Sequence, residues 1–410
     1  MSRLSDAIDR LKAGGIVILM DDDDRENEGD MVLAAQFASG EAVNFMATHA
    51  RGLICLALEG AQVDRLKLAP MVAQNGSERK TAFTVSIEAR TGVTTGISAF
   101  DRARTVQAAV DPDAGPQDII SPGHVFPLRA VEGGSLARAG HTEGSVDLMR
   151  LAGLNPAAVI CEVMKDDGTM ARQSDLQALA GRYGLPIVTI AEIIAHRFSN
   201  EVLVEDIGTA RFPTVFAHKS LEVHAFRSLV DGTEHLAVVK GPIRDTTLVR
   251  VHSECLTGDV LGSLRCDCGS QLQSALQRIA ESDSGVLVYM RGHEGRGVGL
   301  ANKIRAYALQ DQGMDTVEAN AALGFAPDLR NYGMAAQILR ILGVKKIRLL
   351  TNNPRKSAAL EAYGFSGLEP IPLSIEPNQH NAAYLATKRD KLNHVLHSSL
   401  ERGPLKRTSL

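Results

Sequence analysis

The chain has 410 residues, 44% hydrophobic and 22% charged, which is the composition of a folded protein with more apolar material than one small core absorbs. Two domains of about 200 residues are the natural expectation. A formal net charge of -4 leaves no basic field to hold nucleic acid or anionic lipid, and 4% aromatics with no Trp gives no platform for stacking bases. Asp6 and Asp9 stand where a secretory signal would have its apolar core, and the run Ile16 to Met20 is too short to span a bilayer. Five cysteines in so long a chain argue against a disulfide scaffold, so the expectation is a cytoplasmic protein with neither a membrane nor a nucleic-acid partner.

Taken in chain order, Leu4, Ile8 and Leu11 recur at helical spacing, Gly14 and Gly15 stop that helix, and Ile16 to Met20 follows as a short buried strand. The same passage from helix through a Gly or Ser turn to a β-branched run recurs in LQALAGRYGLPIVTI, LQRIAESDSGVLVYMRG and AAQILRILGVKKIRLLTNN. This alternation predicts an α/β fold of mixed sheets covered by helices. The composition changes between Phe198 and Val204, which places two successive domains at 1–203 and 204–410. The last residues carry Gly, Pro and little apolar surface, so a flexible tail is expected from about 400.

The first polar cluster is DDDDRENEGD, residues 21–30, directly after the first strand. Its plain interpretation is a solvated acidic loop. Against that, strand ends are where α/β proteins keep site residues, and carboxylates turned to one centre suit a hard cation such as magnesium. His124 in SPGHVFPLRA and Arg138, His141, Thr142 and Glu143 in RAGHTEGSVDLM add a second polar group among glycines. Glu162 sits in AAVICEVM, which reads as a buried strand. A carboxylate there is costly without a partner and suits either a general base with a raised pKa or a capped salt bridge.

These stretches, with TAFTVSIEA, GVTTGISAFDR and CEVMKDDGTMAR, resemble the 3,4-dihydroxy-2-butanone 4-phosphate synthase family over essentially all of residues 1–200. The resemblance implies ribulose 5-phosphate as substrate and Mg2+ or Mn2+ as cofactor, held by Glu26 and His141. It places Arg25, Asp30, Arg138, Thr142 and Glu162 around the sugar phosphate. Enediolate chemistry needs a cation for developing negative charge and groups that move protons, and Glu162 with His124 fit the second need.

In the second half, VRVHSECLTGDVLGSLRCDCGSQL sets Cys255 and, after ten intervening residues, Cys266, with Cys268 close behind. Three thiolates without a fourth cysteine suggest zinc with an open position. His252 as fourth ligand of a structural knuckle and simple buried thiols are the alternatives. The strand GVLVYM then leads into RGHEGRGVGLANKIRAYAL, whose Gly292, Gly295, Gly297 and Gly299 allow close approach to phosphates. The loop lacks a Walker A or dinucleotide fingerprint.

RVHSECLTGD, SLRCDCG, EGRGVGL, DTVEAN, LGFAPDLRNY and LLTNNPRK resemble GTP cyclohydrolase II over about residues 204–398. The resemblance implies Zn2+ on Cys255, Cys266 and Cys268, and GTP as substrate. It gives catalytic positions at Tyr307, Asp328 and Arg330, with Arg330 as a nucleophile toward the α-phosphate. A phosphate-clamping Arg330 is the physically milder alternative. GTP-binding positions fall at Arg250, Glu254, Gln271, Glu294, Arg296, Thr316, Thr351 and Lys356. Both families work as homodimers, the synthase with its site near the subunit interface. Together they imply a bifunctional enzyme; the rival keeps the first activity and a C-terminal domain with a regulatory or assembly role.

Overall fold

The computed structural model describes residues 3–395 except 23–24, 78, 326–327 and 329, with no side-chain description for 217–220. Asp23 and Asp24 of the acidic run, and the expected tail from about 400, lie outside the described residues. The chain forms two compact units, Met1–Arg197 and Phe198–Leu410.

The first unit contains α1 (Arg3–Lys12), β1 (Val17–Met20), β2 (Gly29–Ala34), α2 (Gly40–His49), β3 (Cys55–Leu58), α3 (Gly60–Arg65) and β4 (Ile87–Ala89). It continues through α4 (Ala99–Val110), β5 (Ile119–Arg129), α5 (His141–Leu151), β6 (Ala157–Glu162), α6 (Gln173–Tyr183), β7 (Ile187–Thr189) and α7 (Ile190–Asn200). Its strands make one mixed seven-stranded sheet in the order β4-β5-β3-β6-β2-β1-β7. Alternation along the strands explains the layering. In β1, Ile18 faces a core packed under α2, α4 and α6, while Val17 and Leu19 face a second core under α1, α5 and α7. Both faces are covered, so the central strands β1, β2 and β3 are buried throughout. The turn after α1 uses Gly14 at φ +75°, a conformation that costs glycine nothing.

The second unit contains β8 (Val204–Thr214), β9 (Ala217–Ser228), β10 (Glu234–Lys240), β11 (Thr246–Ser253), α8 (Leu256–Asp259), α9 (Cys268–Glu281) and β12 (Gly285–Met290). It continues with α10 (Leu300–Asp311), α11 (Thr316–Ala322), α12 (Gly333–Ile341), β13 (Lys346–Leu350), α13 (Pro354–Ala362), β14 (Glu369–Ile371) and α14 (Ala382–Leu392). Its sheet is also mixed and seven-stranded, in the order β14-β13-β11-β12-β10-β9-β8. β8, β9 and β10 form an antiparallel meander, β14, β13, β11 and β12 run parallel to one another, and β12 joins the two parts by pairing antiparallel with β10. The parallel part is α/β in construction, with α12 and α13 on one face and α9 on the other. The three helix-turn-strand passages expected from sequence are α6 to β7, α9 to β12 and α12 to β13.

The change of unit falls inside the last turns of α7. The Phe198 carbonyl accepts hydrogen bonds from Gln337 Nε2 at 2.7 Å and Arg340 Nη1 at 2.9 Å, and the Phe198 ring packs edge-on against Tyr363. These contacts lie within the second unit, to which Phe198 belongs.

Candidate active sites

In the first unit the acidic run becomes the β1–β2 connection, and it is folded from within. Asp21 is buried, and its carboxylate accepts from Arg25 Nη1 at 2.8 Å, from the Glu26 amide at 3.1 Å and from the Glu28 amide at 2.9 Å. Arg172 donates to the Glu26 and Asn27 carbonyls at 2.6 and 2.7 Å, which holds Asn27 at φ +54°. The loop therefore presents Glu26 outward to His141, with Oε2 and Nδ1 3.7 Å apart. Ligand atoms of Asp21, Glu26 and His141 all lie within 4.8 Å of one another. Glu26 and His141 fit a hard divalent cation: they offer a carboxylate and an imidazole at one point, and the buried His141 Nε2 has no protein partner. Asp21 is committed to holding the loop.

His141 is the first residue of α5, whose N-cap, Gly140, provides no side-chain hydrogen bond. The first turn of a helix, with its free amides and positive dipole end, thus lies at the cluster. Thr142 and Glu143 are buried in that turn. Glu143 accepts from Arg138 Nη1 at 2.6 Å and from the Val131 amide at 3.2 Å, which fixes the Arg138 guanidinium.

Two expectations change. Glu162 is the last residue of β6 and is partly exposed, so it is not the desolvated carboxyl expected from the apolar run. Its Oε2 accepts from the Leu53 amide at 2.9 Å. The desolvated acid is its cross-strand partner, Asp30, buried at 3% exposure and raised to about 7 chiefly by that burial. A periodic strand pattern does not say which residue closes the strand. His124 lies apart from this cluster within the chain. It sits on β5, three strands from β2 in the sheet order, with Nδ1 2.7 Å from the buried Glu88.

In the second unit the site gathers at the C-terminal ends of the parallel strands β11, β12 and β13, where this architecture exposes its loops. Arg250 and then Cys255 follow from β11, the glycine-rich loop from β12, and Thr351 from β13. The three cysteine sulfurs lie within 4.8 Å of one another, with Cys255 and Cys266 3.8 Å apart. Two ligands about 2.3 Å from a tetrahedral zinc are about 3.8 Å from each other, so the spacing fits. Gly258 makes it possible: a Cβ there would stand 2.9 Å from Cys266 Sγ and 3.1 Å from Cys255 Sγ. His252 takes no part. Its Nε2 meets both oxygens of Asp259 at 3.1 Å, and among the described residues no histidine joins the sulfurs.

Lys303, which the sequence reading did not single out, holds this corner together. Its ammonium reaches Glu294 Oε1 at 2.5 Å, Thr257 Oγ1 at 2.8 Å and Cys255 Sγ at 3.1 Å. Contacts from the other two thiols, and then this cation, hold the Cys255 thiol far below its usual range. Glu294 uses its other oxygen on the Leu256 amide at 2.7 Å, so both oxygens are engaged in structure. The Tyr307 hydroxyl meets Thr257 Oγ1 at 3.2 Å.

The sulfurs line an open cleft that encloses, with its mouth, about 1080 Å³. Arg250, Gln271, Arg296, Thr316, Thr351, Lys356, Tyr307 and Arg330 line the same space. Glu254 is there too, accepting from the Gly292 amide at 2.8 Å. Arg330 is gripped by Asp328 through Nε at 2.8 Å and Nη2 at 2.6 Å. Burial opposes its charge, yet the Asp328 carboxylate raises its pKa above the ordinary value. Lys356 is buried with Nζ on the Val251 carbonyl at 2.8 Å, and burial beside Arg250 and Arg330 pushes its pKa down. The cleft is a cationic pocket beside three thiols.

Residues 5–196 match the family model of 3,4-dihydroxy-2-butanone 4-phosphate synthase, and residues 205–372 match that of GTP cyclohydrolase II. The chain is 54% identical over 396 residues to the riboflavin biosynthesis protein RibBA of Aquifex aeolicus, covering 96% of this chain and 97% of that protein. It is also 54% identical over 397 residues to RibBA of Bacillus subtilis, covering 96% and 99%. The chain belongs to the bifunctional RibBA family of riboflavin biosynthesis proteins. As a RibBA protein it is both a lyase, acting on ribulose 5-phosphate, and a hydrolase, acting on GTP. The crystal structure of RibBX, a two domain 3,4-dihydroxy-2-butanone 4-phosphate synthase from A. baumannii, superposes with a TM-score of 0.71 at 41% identity, covering 90% of this chain and 99% of that one. Among the described residues no helix is long and apolar enough to cross a membrane.

Proposed function

We propose that the two activities reside in two separate sites with different metals, the synthase in residues 1–203 and the cyclohydrolase in residues 204–410. The observation that carries the proposal is the triad of sulfurs at tetrahedral-zinc spacing on the wall of a cleft lined by arginines and lysines. Cys255, Cys266 and Cys268 would hold zinc, which would supply a Lewis acid for the attack of water on guanine that releases formate. Around it, Arg250, Glu254, Gln271, Glu294, Arg296, Thr316, Thr351 and Lys356 bind GTP, with Glu294 acting by holding Lys303. Tyr307 reaches the sulfur corner through Thr257, whose Oγ1 lies 3.8 Å from Cys255 Sγ, and is the candidate for proton transfer. Asp328 and Arg330 act at the phosphates, and the bidentate pairing supports a charged clamp rather than a neutral nucleophile.

In the first domain Mg2+ or Mn2+ on Glu26 and His141 supplies the positive charge against which an enediolate is stabilised. Arg25, Arg138 and Thr142 bind the sugar phosphate at the open first turn of α5. Asp30 and Glu162 are adjacent across two strands and differ in burial, and the buried Asp30 keeps its proton to a higher pH than an ordinary carboxyl. His124 serves as a further acid/base group. Its distance within one chain, about 14 Å of sheet for three strand spacings, supports a homodimer with the synthase site near the subunit interface. The cellular setting is the cytoplasm, where the three thiols stay reduced.

A second interpretation, synthase activity alone with a C-terminal regulatory or assembly domain, takes support from the naming of the A. baumannii protein as a two domain synthase. The intact cysteine triad here speaks against it. The test is formate release from each substrate by the purified chain and by its Cys266→Ser and His141→Asn variants. Cys266→Ser is expected to silence GTP alone and His141→Asn ribulose 5-phosphate alone. A parent enzyme with full zinc that never consumes GTP leaves the second interpretation standing.

A further inference from the structure

One wall of the GTP cleft comes from neither the cysteine loop nor the glycine-rich loop. Tyr384 and Lys388 of α14, with His394 just beyond it, line the cleft, although this segment lies past the residues 205–372 that match the cyclohydrolase family model. We infer that α14 is a working wall of the GTP site and that Lys388 is a positioning residue, acting through Asp267 to fix Gln271 and Arg250. The inference rests on the assignment of this cleft to GTP.

The connection is continuous. Lys388 is buried, and Nζ lies 2.6 Å from Asp267 Oδ1. The other Asp267 oxygen accepts from Gln271 Nε2 at 2.7 Å. That contact settles the orientation of the Gln271 amide: its NH2 is spent on Asp267, so its oxygen faces Arg250 Nη2 at 2.7 Å. Arg250 Nη1 in turn donates to the Leu350 carbonyl at 2.8 Å. The guanidinium is thereby locked at the floor of the cleft, 5% exposed, with Nε buried and lacking a protein partner. A buried donor so placed is poised for an acceptor on the ligand.

The same lysine shapes the wall. Its ammonium lies 4.7 Å from the centre of the Tyr384 ring, and its carbonyl accepts the amides of Asn393 and His394 in the turn that ends α14. The Val395 amide donates to the Asn352 carbonyl at 2.9 Å, which pins that turn beside the end of β13. Without Lys388, Asp267 would be a buried carboxylate without its ion-pair partner, free to draw Gln271 and Arg250 out of register.

The test uses the full-length zinc enzyme, with steady-state GTP and ribulose 5-phosphate assays and a zinc determination on each variant. Lys388→Met is expected to raise KM for GTP about tenfold or more with a smaller change in kcat, while keeping its zinc and its ribulose 5-phosphate rate. Lys388→Met and Gln271→Leu are expected to be non-additive in the double variant, because they act along one chain of contacts. Tyr384→Leu, which leaves the ion pair in place, is expected to raise KM for GTP about threefold or more and decides the matter if Lys388→Met does not fold. Unchanged KM in both single variants, strict additivity, or loss of zinc in step with loss of activity overturns the inference. A parent enzyme inert toward GTP instead overturns the assignment of the cleft itself.

Discussion

The acidic loop of the first domain and the cysteine corner of the second prepare a cation site by opposite means. The first is organised from inside the loop: Asp21 folds the chain around itself and leaves Glu26 projecting toward His141, with charge on every side. The second is organised by packing: three sulfurs are fitted around the missing side chain of Gly258 and backed by one buried lysine. Soft ligands at short spacing need shape, whereas oxygen ligands for a cation that keeps its waters need a loop with the right charges.

Breaking this comparison starts with the largest effect, at Lys303. Lys303→Met leaves Glu294 buried and unpaired, and the second domain is expected to lose about 3–5 kcal/mol in denaturant unfolding, with the synthase rate intact. Next is Gly258→Ala, where the added carbon meets two sulfurs within 3.1 Å. Zinc affinity, measured by chelator competition, is expected to fall about 10–100-fold with little change in the fold.

The counterpart in the first domain is Asp21→Asn. It keeps the volume but loses the charge that faces Arg25, and is expected to cost about 1–3 kcal/mol and to raise the magnesium needed for half-maximal synthase rate. If Gly258→Ala and Asp21→Asn weakened both metals equally, the distinction between packed and loop-organised sites would fall.

A further effect is on pH. His293 and His394, both at the GTP cleft, are lowered to about 3, first by burial and then by nearby cations. An unfolded histidine titrates near 6.5, so between pH 6.5 and 3 the unfolded state binds protons that the folded state refuses. Stability of the second domain is therefore present above pH 6.5 and lost on acidification, by at most about 1.4 kcal/mol per pH unit for each histidine. Thermal unfolding followed from pH 7 to pH 5 checks the slope, and a His293→Asn variant should flatten it.

Much of this was legible in the sequence. The helix-turn-strand passages gave the α/β class because each buries an apolar strand behind an amphipathic helix, and the close spacing of Cys266 and Cys268 with Cys255 gave the metal corner. What stayed hidden depends on the third dimension. That Asp30 rather than Glu162 is the desolvated acid follows from where β6 ends. Lys303 sits on a helix of mixed polarity, and the pairing of Lys388 with Asp267 joins residues 121 positions apart. No local pattern announces such partners. Asp21 was visible as one of four consecutive aspartates, but not as the one that folds the loop.

The most direct test of two independent sites is a metal add-back on a single preparation stripped of all divalent ions, with formate measured from GTP and from ribulose 5-phosphate in parallel. Zinc alone is expected to restore the cyclohydrolase's metal requirement at Cys255, Cys266 and Cys268 without restoring the synthase. Magnesium or manganese alone is expected to restore the synthase without refilling the sulfur site. Recovery of both reactions by one and the same ion, with the cysteine site empty, would contradict the account.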